Sequence, residues 1–324
     1  NNFFDKLYHL FLIIFLILFI DSSFEFFFDK NILNFKSSYP GRISSLFGDE
    51  LILGSYISKF YPLFFYLHIK KFGFQGKLFI LLLISCLTYF TILISGERIA
   101  FLSINLFYFL LIIYYLRHFF SKKIFLFLVI IFSINASLFI YSSEIKERYF
   151  QKTFTQVVVK NEFKVQSSNI KKNSFTDKIN NNTFFNYVPY EYRVYFLTST
   201  NIFVDNFFVG TGTKSYRYFC NDKKYVISKG YSCSTHPHNF YFQMLAENGI
   251  IGFSFLILFN IYGLLMIMKM ILNKKINNFS YPLLSGIFVF YFPFIFTGNL
   301  FNNMVCIFSF FVIGFYMYEK NKLT

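Results

Sequence analysis

The stretch Cys220–Gly252, CNDKKYVISKGYSCSTHPHNFYFQMLAENGIIG, marks where a long polar segment ends and hydrophobic sequence resumes. His236 and His238 flank Pro237 here, while the other three histidines lie elsewhere. Asn239, Gln243 and Glu247 recur every four positions, which on a helix stacks them on one face. Phe240, Tyr241, Phe242, Met244 and Leu245 between them are apolar. Gly249 is placed to stop that helix as a C′ glycine does, and Ile250 opens a long apolar run. The pattern predicts a short amphipathic helix at a membrane surface, with histidines at its start, feeding a transmembrane helix.

Working outward, the 324 residues are 55% hydrophobic and 24% aromatic, with 54 Phe, no Trp and only 15% charged residues. A soluble domain of this size needs a more polar surface, so the composition points to an integral membrane protein. The net charge of +15 sits in short clusters between apolar runs. No basic stripe or binding motif accompanies it, which excludes nucleic acid as the partner. The chain opens at Asn1-Asn2 without Met and reads as a fragment lacking N-terminal spans.

The apolar runs predict an all-α polytopic fold of about eight spans: Leu7–Ile20, Leu51–Ile69, Leu78–Ser95, Ala100–Leu116, Ile124–Tyr141, Ile250–Ile271, Tyr281–Phe296 and Val305–Tyr318. A polar segment, Asp21–Glu50, follows the first, and Asp49-Glu50 is placed to cap the second. Lys59 and Pro62 interrupt that second span, and a lysine there is expensive unless it faces protein or water. Residues 1–324 form one membrane domain, with 142–249 as a long extracytoplasmic loop. Phe163–Asn182 in this loop is rich in Asn, Lys and Ser and reads as mobile.

Orientation follows from Lys and Arg in short loops, which favour the cytoplasm. Lys6, Lys70/Lys71/Lys77, Arg117/Lys122/Lys123, Lys269/Lys274/Lys275 and Lys320/Lys322 all fall on one side of an eight-span chain. Arg42, Glu97, Arg98, Arg193, His236 and His238 then share the opposite, extracytoplasmic side. Within the loop, Tyr192, Tyr195, Phe196, Ser199, Ile202 and Phe203 form a stripe near helical spacing. This predicts a second surface helix with Arg193 on its polar side. Gly210-Thr211-Gly212 makes a tight turn ahead of Lys214 and Arg217.

His238-Asn239, nine residues, Gly249, two residues and Gly252 resemble the signature of the O-antigen ligase/polymerase superfamily of bacterial membranes. The preceding arginine-bearing helix and Gly-x-Gly turn occur in the order found there. The resemblance implies a metal-independent, inverting glycosyltransferase without cofactor, in the bacterial inner membrane with its active face periplasmic. Its partners are a polyprenyl-diphosphate-linked glycan donor, a lipid or glycan acceptor, and membrane lipids. It acts as a ligase joining O-antigen to lipid A-core or as a polymerase lengthening the glycan.

The same resemblance makes His238 the general base or, alternatively, a phosphate ligand, with His236 beside it. The Ser95-Gly96-Glu97-Arg98 turn resembles the one in which the superfamily places an arginine. Arg98 then grips the diphosphate through bidentate contacts, and Glu97 orients it or serves as an alternative base. Arg42 and Arg193 take the same phosphate role, followed by Lys214 and Arg217. Cys220, Cys233, His236 and His238 could supply four metal ligands. The twelve residues between the cysteines are unlike paired zinc spacing, and an oxidising location favours a Cys220–Cys233 disulfide. Paired hydrolytic carboxylates, a Walker loop and a dinucleotide glycine fingerprint are all missing from the sequence. A transporter or flippase of lipid-linked sugars is the competing reading, which would favour charges deep within several spans.

Overall fold

The computed structural model describes residues 2–37, 39, 41–73, 76–118, 133, 146–151, 188–227, 233–273 and 278–322. They are helical, with no strand among the described residues. The expected span Ile124–Tyr141, apart from Ser133, and the Asn-rich Phe163–Asn182 lie outside them. The residues divide into two compact units. The first comprises Asn1–Tyr149, Gly263–Phe290 and Phe308–Thr324, and the second Phe150–Tyr262 and Tyr291–Ile307.

In the first unit the helix α1 spans Asn2–Phe28 and runs through the residues read as the start of a polar segment. Asp21 and Glu25, one turn apart, are both buried. The Glu25 carboxylate accepts from the backbone amides of Ser44 (3.3 Å) and Ser45 (2.6 Å). Asp21 accepts from the Ser45 hydroxyl (2.5 Å) and the Ile32 amide (3.0 Å). These acids therefore extend the helix instead of ending it, because they hold the following loop.

Helix α2 (Leu53–Phe72) is buried over most of its length. It is of spanning length but carries Ser55, Ser58, Lys59 and His68, of which Ser58 and His68 are buried and Ser55 and Lys59 half-buried. Gly73 caps its end with positive φ, its amide donating to Ile69 O at 2.8 Å. Helix α3 (Leu78–Ile94) and helix α4 (Arg98–His118) flank the turn at Gly96, whose φ of 68° needs glycine. At the other end of α2, Tyr66 donates to Glu319 at 2.7 Å, and Lys70 forms an ion pair with the same carboxylate.

The second unit holds α5 (Tyr190–Asp205), the single turn α6 (Tyr216–Phe219) and the first part of α7 (Phe240–Leu272). Ile202, Tyr216, Cys220, Tyr225 and Ala246 form one of its buried clusters. The remaining helices are α8 (Tyr281–Phe290) and α9 (Asn303–Asn321). The seventh expected span, Tyr281–Phe296, stops at Phe290. Beyond it the chain is irregular around Pro293, and side chains take up its carbonyls: Tyr241 and Asn260 bond Tyr291 O, and Asn239 bonds Pro293 O.

Among the described residues, Phe3–Phe28, Arg98–Arg117 and Phe240–Leu272 are long and apolar enough to cross a membrane. Leu10, Ile13 and Ile17 on α1, and Ile251, Phe255, Leu258 and Leu265 on α7, are exposed. Such a surface suits lipid, not water.

Candidate functional site

The stretch around His238 is organised by a break in α7. Gly249 has φ 63° and ψ −161°, a region open essentially to glycine. Breaking a helix leaves its last carbonyls and the next helix's first amides without partners. The segment 207–212 supplies them. Thr211 N donates to Ala246 O (3.1 Å), Gly212 N to Glu247 O (2.8 Å), and Ile250 N to Phe207 O (2.8 Å). A side chain on Gly210 would lie 2.5 Å from Asn248 N, so the Gly-x-Gly turn is the surface that α7 packs against. At Gly252 a Cβ would lie 2.9 Å from the Met244 methyl.

The stripe Asn239, Gln243, Glu247 faces protein, not a membrane surface: all three are buried. Asn239 caps the helix, its Oδ1 accepting from Tyr241 N (2.9 Å) and Phe242 N (3.3 Å). Gln243 donates to Glu247 (2.9 Å) and to Asn299 Oδ1 (2.8 Å). Glu247 in turn accepts from the amides of Lys214 (3.0 Å) and Tyr216 (3.1 Å). This network ties the histidine helix to the 211–216 turn and to the 297–300 segment.

The two histidines are held differently. His236 donates from Nε2 to Thr297 O (3.2 Å) and accepts at Nδ1 from the Thr235 hydroxyl (2.9 Å). Both nitrogens are thereby engaged within the protein. Burial is the main cause that pushes its pKa down to about 4, reinforced by His238.

His238 has φ 59°, a left-handed conformation uncommon for a non-glycine residue. Its carbonyl accepts from Thr297 N at 2.8 Å. The ring lies against Tyr192, Tyr195 and His236, with centroids 5.6, 5.4 and 4.2 Å away. Nε2 meets the Ser234 hydroxyl at 3.2 Å, and Nδ1 makes no hydrogen bond among the described residues. Burial lowers its pKa below the ordinary value, opposed by the charge of Glu191. His238 is therefore neutral at neutral pH and has a nitrogen able to take a proton. Glu191, the carboxylate it feels, was not singled out from sequence.

Arg193 is buried rather than on a polar face, with Nη2 3.5 Å from Val188 O. Lys214 and Arg217 are exposed, and the charge of Arg217 acts on His236 and Glu247. Cys220 and Cys233 are joined as a disulfide, Cα atoms 4.9 Å apart, so neither thiol is available as a ligand. No group of three or more His, Cys, Asp or Glu among the described residues is arranged to hold a metal.

Glu97, Arg98 and Arg42 belong to the first unit. Glu97 accepts from Gly54 N (2.7 Å), Ser55 N (3.2 Å) and the Ser55 hydroxyl (2.6 Å). The carboxylate on the first turn of α2 is thus Glu97's, not one from the adjacent Asp49-Glu50. Burial raises its pKa, while Ser55 and the Arg42 charge oppose the shift. Arg42 donates to Leu51 O at 3.1 Å, and Arg98 begins α4. Arg148, which no motif marked, donates from Nε to Gly96 O at 3.2 Å. With Arg42, Lys36, Tyr39 and Tyr149 it lines a cavity of about 330 Å³ beside the Gly96 turn.

Residues 79–257, more than half of the chain, match the O-antigen ligase family model. The match contains Glu97, Arg98, Arg193, Lys214, Arg217, His236 and His238 and begins after Arg42. No curated protein and no solved structure matches the chain.

Proposed function

The chain belongs to the O-antigen ligase family, and from that footing we propose that it transfers a glycan from a polyprenyl-diphosphate carrier to an acceptor hydroxyl. The observation that carries the reading is His238: a neutral imidazole, kept so by burial, with Nδ1 unengaged among the described residues. It lies in the matched region. A base for an acceptor hydroxyl needs both properties.

In the proposed step, His238 takes the acceptor proton as the acceptor oxygen attacks the anomeric carbon. The bond from that carbon to the diphosphate breaks with inversion, and polyprenyl diphosphate leaves with the electron pair. Arg98, Arg42 and Arg193 take the role of stabilising the departing charge that the family resemblance gives them, and within the first unit Arg148 lines a cavity with Arg42. His236 holds the Thr297 segment against His238, and Glu97 holds α2. The reaction needs no metal or cofactor, and the active face is periplasmic in an inner membrane. The acceptor is lipid A-core for a ligase or the growing glycan for a polymerase.

The test incubates purified full-length protein with polyprenyl-diphosphate oligosaccharide and each acceptor in turn. Product on lipid A-core identifies a ligase, and a lengthened glycan identifies a polymerase. If the protein moves the lipid-linked sugar across a vesicle bilayer but forms no glycosidic bond, the transferase reading falls and the flippase reading replaces it.

A further inference from the structure

Lys59 has no part in that chemistry, yet it places a cation within a helix of spanning length. It lies six residues into the helix, about 9 Å along the axis from Leu53. Side chains on a helix lean toward its N-terminus, so the lysine stem leads toward the end that Glu97 caps. The ammonium stands 5.5 Å from the Phe290 ring centre and 5.1 Å from that of Phe308. Among the described residues it makes no hydrogen bond and no ion pair. Glu97 is the carboxylate whose charge it feels, but both Glu97 oxygens already accept from Gly54 and Ser55.

Two ring faces attract a cation but do not satisfy the three N–H donors of an ammonium as oxygens do. The orientation adopted above puts the Leu53 end of α2 at the outer boundary of the bilayer. The oxyanion abundant at that depth is a lipid phosphate. We infer that Lys59, framed by Phe290 and Phe308, is the seat of a lipid phosphate group. That group comes either from the carrier diphosphate or from a membrane phospholipid. The carrier alternative rests on the function proposed above, and the phospholipid alternative does not.

The experiment uses the full chain, purified in a maltoside detergent free of phosphate. It is titrated with glycan-free polyprenyl diphosphate and, separately, with phosphatidylglycerol, and read by native mass spectrometry. Lys59→Met should lower the affinity about tenfold or more, the loss expected on removing a charged hydrogen bond, and Lys59→Arg should keep most of it. A loss confined to polyprenyl diphosphate identifies the carrier, and a loss for both lipids identifies the headgroup in general. If Lys59→Met binds both lipids as the wild type does, the inference is overturned. Lys59→Gln gives the same reading should the Met variant fail to fold. Because binding is what is measured, a protein that loses lipid on Lys59→Met yet transfers no glycan overturns the function alone. Active transfer with unchanged binding overturns this inference alone.

Discussion

Gly210 and Gly249 meet backbone to backbone: a side-chain carbon on Gly249 would lie 2.7 Å from the Gly210 amide nitrogen. The two glycines let segment 207–212 reach the broken ends of α7. Gly249→Ala adds a clash with backbone to a glycine-only conformation, and should cost about 2–5 kcal/mol from strain and overpacking together. Gly210→Ala should behave alike. Thermal unfolding of both variants checks this, and a Gly249→Ala protein with an unchanged midpoint would refute the packing.

Removing His238 should separate catalysis from donor binding. His238→Ala is expected to lower turnover about a hundredfold or more while donor affinity stays near the wild type. Because burial holds its pKa below 6.5, the ascending limb of the wild-type pH profile should fall below that value and vanish in the variant. Arg98→Ala should instead lose donor affinity about ten- to a hundredfold. Equal affinity losses with a surviving limb would make His238 a phosphate ligand.

His236 should make stability depend on pH. Its pKa is about 4 in the folded chain against an ordinary value near 6.5. Between those values the unfolded state binds the extra proton, so stability falls as pH drops from about 6.5 to about 4. Above that window the contribution is fully present. Melting curves across this range should flatten in His236→Gln, and an unaltered slope would count against the buried neutral ring.

Glu97 is expected to act on α2 and not on the acceptor. Glu97→Ala strips the partners from Gly54 N and Ser55 N and should cost about 2–6 kcal/mol, since each buried donor left unsatisfied costs about 1–3. Glu97→Gln keeps an acceptor oxygen and should retain turnover within about threefold. A loss in Glu97→Gln as deep as that of His238→Ala would make Glu97 the base.

Much of this architecture was legible in the chain. Apolar runs located α1 through α4, the part of α7 beyond Gly249 and α9 to within a few residues, except where α1 continues through Asp21 and Glu25. Those acids looked like loop because their partners, Ser44 and Ser45, lie 19 to 24 positions away. The histidine signature and the break at Gly249 were also readable, since glycine spacing is a local property of backbone conformation. Arg148 and Glu191 carried no such signal, as neither belongs to a periodic stripe or motif.

The sequence by itself determined the helical membrane class and the family signature, because hydropathy and glycine placement act within a turn or two of chain. Only the tertiary structure decided which polar groups are buried and what they bind. Gln243 and Glu247 turn inward, His236 is fully engaged while His238 keeps Nδ1 unengaged among the described residues, and Glu97 caps a helix it does not belong to. Those outcomes depend on hydrogen-bond partners as far as 43 positions away for Glu97 and 61 for His236. Buried polar atoms must find such partners, and no periodicity along the chain records where folding will bring them.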